Sequence, residues 1–212
     1  RAEMFVADLG MLTHPAVPAL RDHRIAPGTA DMTQGPAMSR SQAERGIAIG
    51  IELVREAAAQ GYQMLATGEM GIGNTTTSSA MAAVLLDQEP ALMVGRGAGL
   101  SDAGLQAKIR AVETAIRINQ PQAEDALDVL SKLGGFDIAG LAGAFIGGSL
   151  CRIPMIIDGF ISAVSALTAI RLCPRVADYL LASHLSAEPA AALVMAALEL
   201  SPLIHAGMRL GE

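Results

Sequence analysis

Tryptophan is absent and aromatic residues make up 3% of the chain. Stacking platforms for bases or sugars are therefore scarce, and a bound ring must rest mostly on aliphatic side chains. Lysine is nearly missing as well. Lys108 and Lys132 stand alone among scattered arginines, and the formal net charge is −6. Proteins that bind a nucleic-acid polyanion usually carry a basic patch, so that partner is disfavoured, while a small neutral or anionic metabolite remains open. The two cysteines, Cys151 and Cys173, lie in apolar surroundings without CxxC or Cys/His spacing. They are expected to be buried free thiols in a reducing cytosol, with no metal bound. Of the four histidines, His14, His23 and His205 show no metal spacing, and His184 is expected to be structural. The most membrane-like stretch, residues 153–170, is broken by Asp158 and Gly159, which argues against a span. No signal peptide, repeat or low-complexity tract is visible. The chain begins at Arg1 without a methionine and is expected to be an excerpt of a longer protein.

What the sequence does have is apolar content, 51% over 212 residues, enough for one substantial core. Short apolar runs alternate with helical patterns, the sequence form of a parallel sheet covered by helices, so the fold class is α/β. Ser41 and Glu44 form a capping-box pattern ahead of an apolar stripe at Ile47, Ile51, Val54 and Ala58. A strand is predicted over 62–67, a glycine-bearing turn over 68–74 and a helix over 75–86. Ser101 and Asp102 suit a helix start, with Leu105, Ile109, Val112 and Ile116 as its buried stripe and Lys108 at the flank. Helices are predicted over 123–133 and 138–150, a buried strand over 153–157, a helix over 161–172, a strand over 179–182 and a helix after Pro189. Residues 201–212 read as a loop-like tail.

Open α/β sheets bind ligands beyond the carboxyl ends of their strands, where loops converge and helix N-termini present free backbone amides. The polar oddities of this sequence fall there. GEMGIGNTTTSSA follows one predicted strand, Asp158 another, and Ser183, His184 and Ser186 a third. Gly68, Gly71 and Gly73 would let the backbone approach an anion, and the helix that follows adds a positive dipole end, so phosphate is the natural guest. The motif is neither a Walker loop nor GxGxxG, and a tight strand-to-helix turn explains it equally well. VGRGAGL, at 94–100, has the same two readings. Lys108 could reach a cleft edge or be a solvated flank, and Asp137 and Asp158 could be N-caps compatible with ligand contact.

Eight segments in order, FVADLGM, GTADMTQGPAM, GEMGIGNTTTSSA, VGRGAGL, GGFDIAGLAGAFIGG, PMIIDGFISAVSAL, SHLSAEP and HAGMRLGE, span nearly the whole chain. Together they resemble the nicotinate-nucleotide:dimethylbenzimidazole phosphoribosyltransferase family. The resemblance implies a Rossmann-like, mostly parallel sheet with helices on both faces and part of a small helical domain. Residues 1–200 would form the core domain and 201–212 an active-site tail leading toward the small domain. It also implies a cytoplasmic homodimer without a cofactor, moving the phosphoribosyl group of nicotinate mononucleotide to dimethylbenzimidazole with inversion at the anomeric carbon, in cobalamin biosynthesis. Glu212 would be the general base, with Glu69 assisting or orienting. Met208 and Leu210 would lie near the aromatic base. Gly71 and its neighbours Gly68 and Ile72, with Lys108, would hold the phosphate. Gly97, Asp137, Asp158, Ser183 and Ser186 would line the ribose and nicotinate pocket. Against the family pattern, the chain begins well inside the usual length and ends before the glycine-rich continuation after LGE, so part of the small domain and base pocket is expected to lie outside it. The alternatives are a relative using a purine or phenol as acceptor, and a non-catalytic nucleotide-binding core.

Overall fold

A computed structural model describes residues 2–13, 15–97 and 99–204. In chain order its elements are β1 (Val6–Asp8), β2 (Leu20–Asp22), α1 (Arg40–Ala59), β3 (Leu65–Ala66), α2 (Asn74–Leu85), α3 (Pro90–Met93), α4 (Asp102–Asn119), α5 (Ala126–Leu133), α6 (Phe136–Cys151), β4 (Met155–Ile157), α7 (Gly159–Leu172), a 3-10 turn (Pro174–Tyr179), β5 (Leu180–Ala182) and α8 (Ala191–Ala197). The α/β reading holds: the sheets are flanked by helices, and every strand pair among the described residues is parallel.

The main sheet has the order β3-β4-β5, with Leu65 opposite Met155 and Ile157 opposite Ala182. Its three carboxyl ends therefore open on one edge. Because β4 is central, it is nearly all apolar, and α7 behind it is buried along most of its length. The edge strand β3 is shorter than its 62–67 pattern suggests, because Tyr62 bonds back to Ala57 at the end of α1 instead of joining the sheet. The two-stranded β1–β2 sheet was not legible in the sequence.

Helix α1 starts from Ser39, two residues before the predicted cap. The Ser39 hydroxyl accepts from the Gln42 amide at 3.2 Å, and the Gln42 side chain accepts from the Ser39 amide at 2.9 Å. Backbone bonds from Ala37 to Lys132 and from Met38 to Ser131 anchor the preceding chain, which selects the earlier of the two cap patterns. The most buried line of α1 is also not the predicted one. It runs through Ala43, Gly46, Gly50, Val54 and Ala57, leaving Ile47 and Ile51 half-buried beside it.

The reason is α6, whose backbone lies directly against α1. A Cβ added at Gly50 would meet the backbone of Gly140, Gly143 and Ala144, and one at Gly143 would meet the backbone of Ile47. Neither obstacle is a side chain able to rotate away. Gly143→Val is therefore expected to push the two helices apart and cost at least about 1–3 kcal/mol of overpacking strain. Urea denaturation of the variant against wild type measures this directly, and unchanged stability would contradict the close-contact seam.

Cys151 and Cys173 are free thiols, half-buried rather than buried as expected. No described helix is long and apolar enough to cross a membrane.

Candidate active site

The turn between β3 and α2 holds two carboxylates on one amide. Asn74 is buried, and its side-chain nitrogen donates one hydrogen to Glu69 Oε2 and the other to Asp137 Oδ2, the latter at 2.7 Å. Glu69 Oε2 also accepts the Gly71 amide at 2.8 Å. Gly71 presses against the Asp137 carboxylate so closely that any Cβ would overlap it. Asp137 is consequently not the cap of α6. Gly135 occupies that position, and Asp137 sits in the first turn with its side chain turned to Asn74. The flanking Met70 and Ile72 side chains are 92% and 98% exposed, so Ile72 has only its backbone to offer within the turn.

Lys108 is not a solvated flank. It is 7% exposed, and its Nζ donates to Thr75 Oγ1 and to the Gly95 carbonyl, each at 3.0 Å. Burial pushes its pKa down, and the Glu188 carboxylate partly opposes that shift. An ammonium has three donors, and with these two partners among the described residues one remains for a guest. Thr75 stands in the first turn of α2, which starts from Gly73 in the left-handed region (φ 81°) without a side-chain cap. An uncapped helix N-terminus beside a buried lysine favours an anion strongly. Gly97 lies alongside: a Cβ there would be 3.7 Å from Lys108 Nζ and 3.1 Å from Thr75 Oγ1. Its own amide is committed to Glu188 Oε1 at 3.0 Å, just as the Gly71 amide is committed to Glu69. Lys108 and the first turn of α2 are thus the groups best placed to meet an anion, and Gly71 joins them if Glu69 moves.

Asp158 follows β4 directly and occupies the N-cap position of α7, with no side-chain cap bond among the described residues. Its side chain is 52% exposed and lies 4.0 Å from His184 Nδ1. Ser183 Oγ donates to the Ile157 carbonyl at 2.6 Å, so toward His184 Nδ1, 3.0 Å away, it acts as acceptor. That makes Nδ1 the donor in this contact, and the buried Nε2 has no hydrogen-bond partner among the described residues. Ser186 is buried and accepts from the Glu188 amide at 3.4 Å. These two hydroxyls hold their loop in place at the carboxyl edge of β5.

A cleft of about 330 Å³ is lined by Gly28, Ala30, Pro36, Ala37, Met38, Ser39, Gln42 and Phe136. Phe136, in the first turn of α6, supplies the aromatic side of this cleft, and Ser39 and Gln42 supply polar groups. Among the described residues no group of three or more His, Cys, Asp or Glu side chains is placed to hold a metal ion. His205, Met208, Leu210 and Glu212 lie outside the described residues.

A family model described as Phosphoribosyltransferase matches residues 1–212. The chain belongs to this phosphoribosyltransferase family. It is 49% identical over 211 residues to the nicotinate-nucleotide–dimethylbenzimidazole phosphoribosyltransferase of Acetivibrio thermocellus, covering 100% of this chain and 60% of that protein. To the protein of the same name from Ruminiclostridium cellulolyticum it is 48% identical over 212 residues, with the same coverage of 100% and 60%. The crystal structure of CobT from Thermus thermophilus superimposes with a TM-score of 0.92 at 38% identity, over 98% of this chain and 62% of that one. The chain thus spans about 60% of the length of the curated relatives it matches.

Of the expected residues, the structure brings Glu69, Gly71 and Asp137 into one cluster and Gly97 and Lys108 into another, while Gly68 precedes the first without a contact to it among the described residues. The two share the start of α2. Asp158, Ser183 and Ser186 stand on the neighbouring strand ends. Sequence reasoning missed Asn74, Thr75 and Glu188, although all three lie inside the quoted motifs.

Proposed function

We propose that this phosphoribosyltransferase moves the phosphoribosyl group of nicotinate mononucleotide to dimethylbenzimidazole, releasing nicotinate and forming α-ribazole phosphate. The observation that carries the reading is the junction at Asn74 and Thr75. One residue fixes the Glu69–Asp137 carboxylates and the next fixes Lys108, so an anion site and an acidic site adjoin at one helix N-terminus. A phosphate on Lys108 and α2 would leave the ribose facing the carboxylates. Gly68, Ile72, Gly97, Asp158, Ser183 and Ser186 would line its other sides.

In the transfer, the unprotonated imidazole nitrogen of dimethylbenzimidazole attacks the ribose anomeric carbon as its bond to the nicotinate nitrogen breaks. That electron pair returns to the nicotinate ring and neutralises it. The remaining imidazole proton passes to a carboxylate, which we assign to Glu212, with Glu69 orienting the ribose. Holding the two rings in line on opposite sides of a sugar carbon of oxocarbenium character supplies much of the acceleration. The cleft against Phe136, of about 330 Å³, has room for the bicyclic aromatic ring and would receive it in this reading. Met208 and Leu210 would lie near that ring. Residues 1–200 form the core domain in this reading and 201–212 the active-site tail. The enzyme would act as a homodimer, checked by size-exclusion chromatography with light scattering, in the cytoplasm, whose reducing conditions suit its two free thiols.

Incubating the protein with nicotinate mononucleotide and dimethylbenzimidazole and following nicotinate by chromatography tests the reading. Release that requires both substrates is expected. Binding of the nucleotide without any release, whether dimethylbenzimidazole, a purine or a phenol is offered, would reduce the protein to a nucleotide binder.

A further inference from the structure

Glu188 is 9% exposed and belongs to none of the roles above. Its Oε1 accepts the Gly97 amide at 3.0 Å, while Oε2 is buried without a hydrogen-bond partner among the described residues. The Gly95 backbone packs directly on this carboxyl group and on the Pro189 ring, so tightly that a Cβ at Gly95 would overlap both. The Gly95 carbonyl, in turn, is one of the two acceptors that aim Lys108 Nζ. A continuous path therefore runs from the loop after β5, through Glu188, into the 95–97 loop and on to Lys108 and Thr75. A buried carboxylate with a spare oxygen is costly to keep. Its retention here is intelligible if what it fixes is worth more than the cost.

Resting on the phosphate reading given above, we propose that Glu188 is a positioning residue: by clamping the 95–97 loop through the Gly97 amide, it sets the Lys108 ammonium on the substrate phosphate. It never touches the substrate itself. The acceptor atom at the right distance is what matters, so glutamine, which keeps that oxygen, serves in its place. Aspartate, one methylene shorter, falls short of the Gly97 amide while keeping the charge.

The test compares wild type with Glu188→Ala, Glu188→Gln and Glu188→Asp, using nicotinate mononucleotide and the phosphate-free nicotinate riboside as probes in kinetics and calorimetry. Glu188→Ala and Glu188→Asp are expected to raise KM for the nucleotide about tenfold. In both, kcat stays within about threefold, and so does riboside affinity. Glu188→Gln keeps all these values within about threefold of wild type. Combined with Lys108→Met, Glu188→Ala adds less than about threefold, because both act on one contact. Should the alanine variant fail to fold, the Asp and Gln pair carries the same comparison. Equal losses for nucleotide and riboside, or an aspartate variant that performs while the glutamine variant fails, would overturn the proposal. If wild type transfers no phosphoribosyl group, the function reading falls on its own. The nucleotide-over-riboside preference in calorimetry then still decides this one: its loss in Glu188→Ala supports the clamp, and its absence in wild type refutes it.

Discussion

Glu212→Gln is expected to lower kcat by roughly 10² to 10⁴, the usual worth of a positioned general base. Affinity for nicotinate mononucleotide is expected to stay within a few-fold of wild type. Glutamine matches glutamate in length and accepts hydrogen bonds, but it cannot take the imidazole proton. The effect should therefore appear in turnover at saturation, because the proton leaves only as the new glycosidic bond forms. Glu69 is poorly placed to substitute, since its Oε2 is already engaged by the Gly71 amide and the Asn74 side chain. Calorimetry for binding, paired with chromatographic initial rates, separates the two quantities. Turnover within a few-fold of wild type would remove Glu212 as the base and leave Glu69 as the carboxylate to test.

Lys108→Met should act in the opposite way, on binding more than on chemistry. Methionine is close in length and suits a site that is 7% exposed, so the fold should tolerate it. A charge-assisted hydrogen bond to phosphate contributes about 1.5–3 kcal/mol, so KM for the nucleotide is expected to rise about 10- to 150-fold. The riboside, lacking the phosphate, should bind both proteins alike.

Burial lowers the Lys108 pKa, so on raising the pH into the alkaline range the phosphate-dependent affinity of wild type should fall earlier than an ordinary lysine would make it fall. The variant should show no such decline. The same shift has a defined effect on stability. Between the lowered folded pKa and the ordinary unfolded one, the unfolded chain binds more protons, so stability rises with pH across that window. Below it both states are protonated and the folded protein carries the full desolvation cost. Lys108→Met should remove that alkaline rise. A riboside penalty equal to the nucleotide penalty, or identical pH profiles, would place the phosphate elsewhere.

How far the sequence revealed this site depends on the range of the interactions involved. Local patterns were read well. Ser101 does cap α4, Val112 lies at the centre of its buried face, and β4 does end just before Asp158. The turn rich in glycine at 68–74 was correctly placed between a strand and a helix, because that spacing is itself a local signal, although the pattern alone left an ordinary turn and an anion site equally open. Features set by distant partners were not legible. Lys108 sits at the flank of an apolar stripe, which for an isolated helix means solvent. Its burial is decided by Thr75, 33 residues away, and by Gly95. Glu188 precedes a proline and looks like a turn acid, whereas its partner Gly97 is 91 residues distant. Asp137 has the position of a cap, yet it answers to Asn74 across 63 residues. The buried line of α1 shifted for the same reason, since small residues were selected by the α6 backbone and not by hydrophobicity. The three-residue strands β1 and β2 are too short to carry a period of their own.

Everything proposed for the site turns on where the substrate phosphate binds, and a crystal structure of the protein with nicotinate mononucleotide decides it. The expected result is a phosphate oxygen within hydrogen-bond distance of Lys108 Nζ, at the N-terminus of α2, with the ribose turned toward Glu69 and Asp137. A phosphate bound away from α2, with Lys108 still spent only on Thr75 and Gly95, would contradict it.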